Sequence, residues 1–172
     1  MKKKVVAVIV VLFLVSLPVI YWQLGGFNPV SISVEERADM KLLGLTYRGT
    51  PQDPGMLGTF QKIEEIINKY PQSRLHTLYN VEPAGKLDTL EVFVGVEFQE
   101  EIYGQEELDL REIECSQVIV AEIEAHRLVM PSPEKVKSQI ESFAASRSMS
   151  TQGIYVDKII DDRRVEVIVP LR

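Results

Sequence analysis

Cysteine is nearly absent from this chain: Cys115 stands alone among 172 residues. One thiol cannot form an internal disulfide, so the fold must rest on burial and hydrogen bonding. Histidine is almost as scarce. His76 and His126 have no Cys, Asp or His partner at the spacing that holds zinc, and no metal or other cofactor is expected. No serine sits in a Gly-x-Ser-x-Gly elbow, and Cys115 has no activating neighbour in sequence, so nucleophilic catalysis lacks its usual signatures. Positive charge is also short. Nineteen Lys and Arg face 25 Asp and Glu, a net charge of −6 without a basic stripe. Phosphate neutralisation needs clustered cations, so nucleic acid is not an expected partner.

One long apolar run is present, at the start. Lys2–Lys4 precede VVAVIVVLFLVSLPVIYW, residues 5–22, which carry no charge. As a helix this run is about 27 Å long, close to the hydrocarbon thickness of a bilayer. Tyr21 and Trp22 close it, where amphipathic rings favour the headgroup layer. No Ala-x-Ala-like site follows, which disfavours a cleaved signal peptide. The expectation is an uncleaved single-pass anchor: residues 1–4 in the cytoplasm, 5–22 across the membrane, 23–39 as a Gly-, Pro- and Ser-containing tether, and a domain over 40–172 on the far side.

The full chain is 45% hydrophobic and 26% charged, a composition that folds. Its best-patterned stretch is Leu90–Phe98: Leu90, Val92, Val94, Val96 and Phe98 alternate with Glu91, Phe93, Gly95 and Glu97. One face of that strand belongs in a core. Arg164–Arg172 repeats the pattern, with Val165, Val167, Val169 and Leu171 on the buried side. Before each lies a similar series. Lys41–Gly49 reads as a strand, Met56–Tyr70 as an amphipathic helix stopped by Pro71, and Leu75–Val81 as a short strand, with a turn at Glu82–Gly85. In the second half, Gln117–Ile123 and His126–Met130 read as extended. Ser132-Pro133-Glu134 opens a helix with the apolar stripe Val136, Ile140, Phe143 and Ala144, and Gly153–Ile159 reads as a strand. Between the halves, Phe98–Glu114 is strongly acidic without the alternation of a calcium loop, and reads as a solvated connection. The fold class is α+β, with two tandem strand-helix-strand-strand units.

Two such units, with LLGLTYRG early, VFVGVEF closing the first half and GIYVDKIIDDRRVEVIVPL at the end, resemble the GyrI-like small-molecule-binding domain over residues 40–172. The resemblance implies pseudo-twofold symmetry, helices on one face of the sheet and a groove on the other. It also implies a small amphipathic ligand. In members that bind organic cations, a glutamate stands two residues before a tyrosine on the penultimate strand. Here that place reads Gly153-Ile154-Tyr155, with the tyrosine present and the acid missing, and Glu97 or Glu166 are the expected substitutes.

Tyr79 and Tyr155 hold matching positions in the two units. Together with Phe93, Glu97 and Glu166 they form the expected binding set, the two tyrosines on opposite groove walls. The function that follows is a membrane-tethered module binding a small amphipathic molecule. The alternatives are a receptor that docks a protein partner with a vestigial groove, and a small-molecule hydrolase.

Overall fold

The computed structural model describes residues 2–81, 88–104 and 107–172, with side chains from residue 12 onward. The expected turn at Glu82–Gly85 lies outside the described residues. Chain order is α1 (Lys2–Gln23), β1 (Ser31–Glu36), β2 (Met40–Gly49), α2 (Pro54–Lys69), β3 (Leu75–Val81), β4 (Leu90–Glu97), β5 (Asp109–Ile113), β6 (Gln117–Glu124), α3 (Pro133–Ser146), β7 (Val156–Ile159) and β8 (Arg164–Pro170). The class is α+β: one eight-stranded sheet, ordered β1-β6-β8-β7-β3-β4-β2-β5, with every strand pair antiparallel.

That order is symmetric about the β7–β3 pair. Outward from it run β8 and β4, then β6 and β2, then β1 and β5. The repeat is therefore one strand longer than the sequence pattern suggests: strand, strand, helix, strand, strand. The first strand of each unit pairs with the other unit, β1 on β6 and β5 on β2. Two expectations are corrected here. The tether assigned to 23–39 contains β1, and the acidic connection contains β5 and the buried Ile102. Both strands are short, and each has a hydrophobic alternation too brief to stand out from its flanks. His126–Met130 forms a turn, and the strand expected from Gly153 begins at Val156.

The short links force the sheet to curl. Only Arg37–Asp39 joins β1 to β2, and only Glu114–Ser116 joins β5 to β6, yet each pair lies six strand positions apart. Four Cα steps reach at most about 15 Å. Six flat strand spacings would span roughly 29 Å. The sheet must bend back on itself, and its inner face is the one without helices. Leu42, Leu78, Phe93, Val118, Val120, Val156 and Ile168, from six strands, fill that inside as one buried cluster with Cys115.

The outer face carries two further cores, one under each helix. Val92, Val94 and Val96 meet Ile63 of α2, and Ile119, Ala121, Val167 and Val169 meet Val136, Ile140 and Ala144 of α3. Both helices begin as their sequences dictate. The Asp53 carboxylate accepts from the Gly55 N–H at 2.7 Å ahead of Pro54, and the Ser132 hydroxyl accepts from the Lys135 N–H at 3.4 Å ahead of Pro133.

α1 stands apart. Its side chains from Leu12 to Gln23 are exposed apart from the half-buried Ser16. Among the described residues no helix is long and apolar enough to cross a membrane. The described side chains of α1 run from residue 12 to 23, about 18 Å of helix.

Candidate functional site

Alternation along the central strands settles which residues share a face. Thr77 pairs with Asp157, and Leu78 with Val156. Val156 and Leu78 point into the curl, so Thr77 and Asp157 point out. Tyr79 and Tyr155 lie one step further along and follow them. All four line a cleft of about 470 Å³ on the outer face, beside the first turns of α3. Its floor is apolar, with Ile123, Val165 and Val167, and its rim is Met130, Pro131 and Pro133.

The sheet thus brings the two tyrosines into one cleft rather than onto opposite walls. The strand registers put the pseudo-twofold axis near the Thr77–Asp157 pair, so the expected match of Tyr79 with Tyr155 is corrected: the counterpart of Tyr155 lies near Leu75. The cleft also lies on the helix-bearing face, not the helix-free face that the family resemblance implies. The physical reason is the curl: the helix-free face is inside, where Phe93 and its neighbours pack one part and a polar cavity beside Glu97 and His76 takes up the rest. Phe93 is therefore core, 1% exposed.

The cleft has its own charges. Glu134, Lys137 and Asp157 line it. The Lys137 ammonium lies 4.9 Å from the centre of the Tyr155 ring, a cation–π contact. The Tyr155 hydroxyl donates to Glu141 at 3.2 Å. Burial, then the Asp157 carboxylate, pushes the Tyr79 hydroxyl above its ordinary range. Glu134 is held below the usual carboxylate range by its own backbone N–H and the Ser132 hydroxyl. Three of these residues escape the sequence reading. Asp157 had a usable signal: it is two residues from Tyr155, and alternation alone puts it on the same face. Glu134 and Lys137 are legible only as helix residues, because their approach to the cleft depends on how α3 docks.

Glu97 and Glu166, the expected substitutes for the missing acid, lie on the other face and cannot reach the tyrosines. They belong to a polar cluster of the helix-free side, at a second cavity of about 390 Å³ lined by Arg37, His76, Glu97 and Lys158 among others. Glu97 accepts from the Arg74 N–H at 3.0 Å and from Lys158 at 3.1 Å, and Glu166 lies 3.6 Å from Arg37. His76 is 2% exposed. Its Nδ1 is 3.0 Å from the Arg74 carbonyl and so carries the proton, while Nε2 faces Glu97 at 3.6 Å. Burial holds this imidazole below its ordinary value, against the pull of Glu97. Burial works to raise the Glu97 carboxyl, but its partners win and hold it low. Because His76 is kept neutral near neutral pH, the Arg74 N–H and Lys158 carry that stabilisation there. Among the described residues no cluster of three His, Cys, Asp or Glu side chains is arranged to hold a metal ion.

No protein-family model matches the chain, and no curated protein does. Solved structures do. A hydrolase from Listeria innocua superposes with a TM-score of 0.60 at 8% identity, over 88% of this chain and 98% of that one. The C-terminal domain of EcmrR gives 0.58 at 10% identity, over 83% and 98%. SAV2435, solved bound to tetraphenylphosphonium, gives 0.50 at 12% identity, over 83% and 94%. At such identities the likeness extends to the fold, and this chain has the fold those three proteins share.

Proposed function

We propose that the chain is a membrane-tethered, GyrI-like binding module that holds a small amphipathic molecule in the Tyr79–Tyr155 cleft. The observation that carries this reading is the convergence of two tyrosines from symmetry-related strands on one outward-facing cleft with an apolar floor and polar rim. Two carboxylates against one ammonium favour a neutral or weakly cationic ligand. Asp157 and Glu134 stand in for the acid that Gly153 lacks, and Lys137 already occupies one face of the Tyr155 ring. SAV2435, a neighbour of the same fold, was solved bound to the aromatic cation tetraphenylphosphonium. The tether is residues 5–22, whose length and lack of charge suit a bilayer, with Lys2–Lys4 in the cytoplasm and the domain on the opposite side.

The test is a panel of neutral and cationic amphipathic dyes, read by fluorescence against wild type and the Tyr79→Ala/Tyr155→Ala variant. Each aromatic stacking contact contributes about 1 kcal/mol, so the double variant should weaken binding by roughly thirtyfold and keep its thermal midpoint within a few degrees. Unchanged dye binding would move the site elsewhere. Sodium carbonate extraction of the full chain from membranes tests the tether separately.

A further inference from the structure

The joint between α1 and the domain is built, not loose. The helix ends in a turn in which the Gly25 N–H bonds the Trp22 carbonyl at 2.9 Å and the Gly26 N–H bonds that of Tyr21 at 2.9 Å. Gly25 has φ +81°, a conformation that favours glycine, and the Tyr21 ring packs directly over Gly26. The sheet then grips the turn from three sides. Arg163 donates to the Gln23 carbonyl at 3.1 Å, the His126 N–H to that of Leu24 at 2.8 Å, and the Asn28 amide to that of Glu124 at 2.8 Å. Where the helix goes, this end of the domain goes with it.

The same joint leads directly to the cleft. From His126 the chain makes one tight turn, closed by the Val129 and Met130 N–H groups on the His126 carbonyl at 2.9 and 3.0 Å. Met130 and Pro131 are the cleft rim. At the apex of that turn Leu128 is 76% exposed, more than any other large apolar side chain described, and Trp22 and Phe27 beside the joint are 67% and 66% exposed. Three large apolar groups therefore project from one end of the domain, around the point where the apolar helix leaves it. The chain there carries both signs, with Arg127, Arg163 and Arg164 beside Glu124, Asp161 and Asp162 in sequence and Arg164 paired with Asp161. Contact with a bilayer at this end needs no anionic lipid.

We infer that this end of the domain rests in the headgroup layer, with Leu128 dipping into it, and that the Tyr79–Tyr155 cleft draws an amphipathic ligand already dissolved in the bilayer. The inference rests on the tether and cleft of the proposed function. The headgroup layer is about 5–8 Å deep on each side, and a single turn separates His126, which bonds Leu24, from Met130 on the cleft rim. A ligand with an apolar tail then enters the cleft without crossing water.

The experiment uses the full chain in phosphatidylcholine nanodiscs with brominated acyl chains. Trp22 is the only tryptophan, so its quenching reports the helix end. Leu128→Cys and, as a distant control, Arg172→Cys carry a fluorophore. Cys115 is buried with its thiol pushed up by burial, and the unsubstituted chain serves as the labelling blank. Expected are strong quenching at Trp22 and at position 128, little at position 172, and no change when anionic lipid is added. Quenching at Trp22 with position 128 as dark to bromine as position 172 overturns the inference and leaves the tether standing. An unquenched Trp22 overturns both. A second arm uses Leu128→Asp. Uptake of vesicle-dissolved pyrene-labelled lysophosphatidylcholine should slow by about tenfold, the worth of one buried leucine, while a water-soluble dye binds as before. Equal behaviour of the two probes overturns the inference, and loss of dye binding in the double tyrosine variant remains the independent check on the cleft.

Discussion

The two helices occupy equivalent places in the repeat and do opposite things. α2 lies across β2, β3 and β4, and Met56, Phe60, Ile63, Ile66 and Ile67 cover the valines of β4. α3 lies chiefly on β6, and its buried stripe is Val136, Ile140 and Ala144. Phe60 and Ile67 are half-buried at the edges of the α2 stripe, around the fully buried Ile63. Phe143, the one large ring on α3, is half-buried in the same way, with the Arg147 guanidinium 3.8 Å from its centre. α3 covers Val167 and Val169 of β8 and leaves Asp157, Ile159 and Val165 to line the cleft beside it. One copy of the unit covers its sheet face and the other leaves a site beside its helix, and the strands each helix lies across make the difference.

The sharpest way to break this comparison is to put a carboxylate under each helix. Val94→Asp lies under α2 at 0% exposure, and a lone buried carboxylate there should cost several kcal/mol and unfold the domain. Val167→Asp, 7% exposed on the cleft floor, can reach water and should cost about half as much. Urea unfolding of both decides the matter. Equal losses would mean that the two halves are equally closed.

A smaller effect concerns the backbone beside Tyr155. Gly153 has φ +79° with open space around its Cβ position. Gly153→Glu should therefore cost about 1–2 kcal/mol through the left-handed backbone alone, without a clash. With an acid added near Tyr155, dye preference should move towards cations. A larger loss in the denaturation midpoint would show that the neighbouring cleft wall is tighter than drawn.

The pH dependence comes from the helix-free face and should be insensitive to either helix. His76 is held below its ordinary 6.5 by burial, so as pH falls through that value the unfolded chain takes up the proton first. Stability contributed by neutral His76 is present above that point and lost below it. Glu97, held under its ordinary 4.5, adds a second loss at lower pH. Thermal midpoints from pH 8 to pH 5 should fall in wild type, and the slope above pH 5 should flatten in His76→Gln. An unchanged slope would mean that another group titrates.

The smallest expected effect is at Glu91, which bonds Asn80 at 2.7 Å and lies 3.8 Å from Arg48 on a partly exposed face. Glu91→Lys should change stability by about 0.5 kcal/mol, readable as a shift of a few degrees in thermal midpoint.

Much of this architecture can be read from residues alone, because it rests on local rules. The valines of β4 and β8 alternate, Ser132-Pro133 can only open a helix, and Ile154 and Val156 turn Tyr155 away from them. Tandem repetition of these signals fixes two units, but the strand registers, not the repetition, decide which positions match. What alternation cannot say is which of two faces becomes the inside. That depends on three-residue links that pull strands six positions apart into a curl, which is a property of the whole sheet. The curl buries Phe93, sends Glu97 and Glu166 away from the tyrosines, and recruits β1 and β5, whose own patterns are too short to announce them. The site itself was decided last, by how much of the outer face α3 leaves uncovered, since a stripe's periodicity is local but the volume it must fill is set by its partner strands.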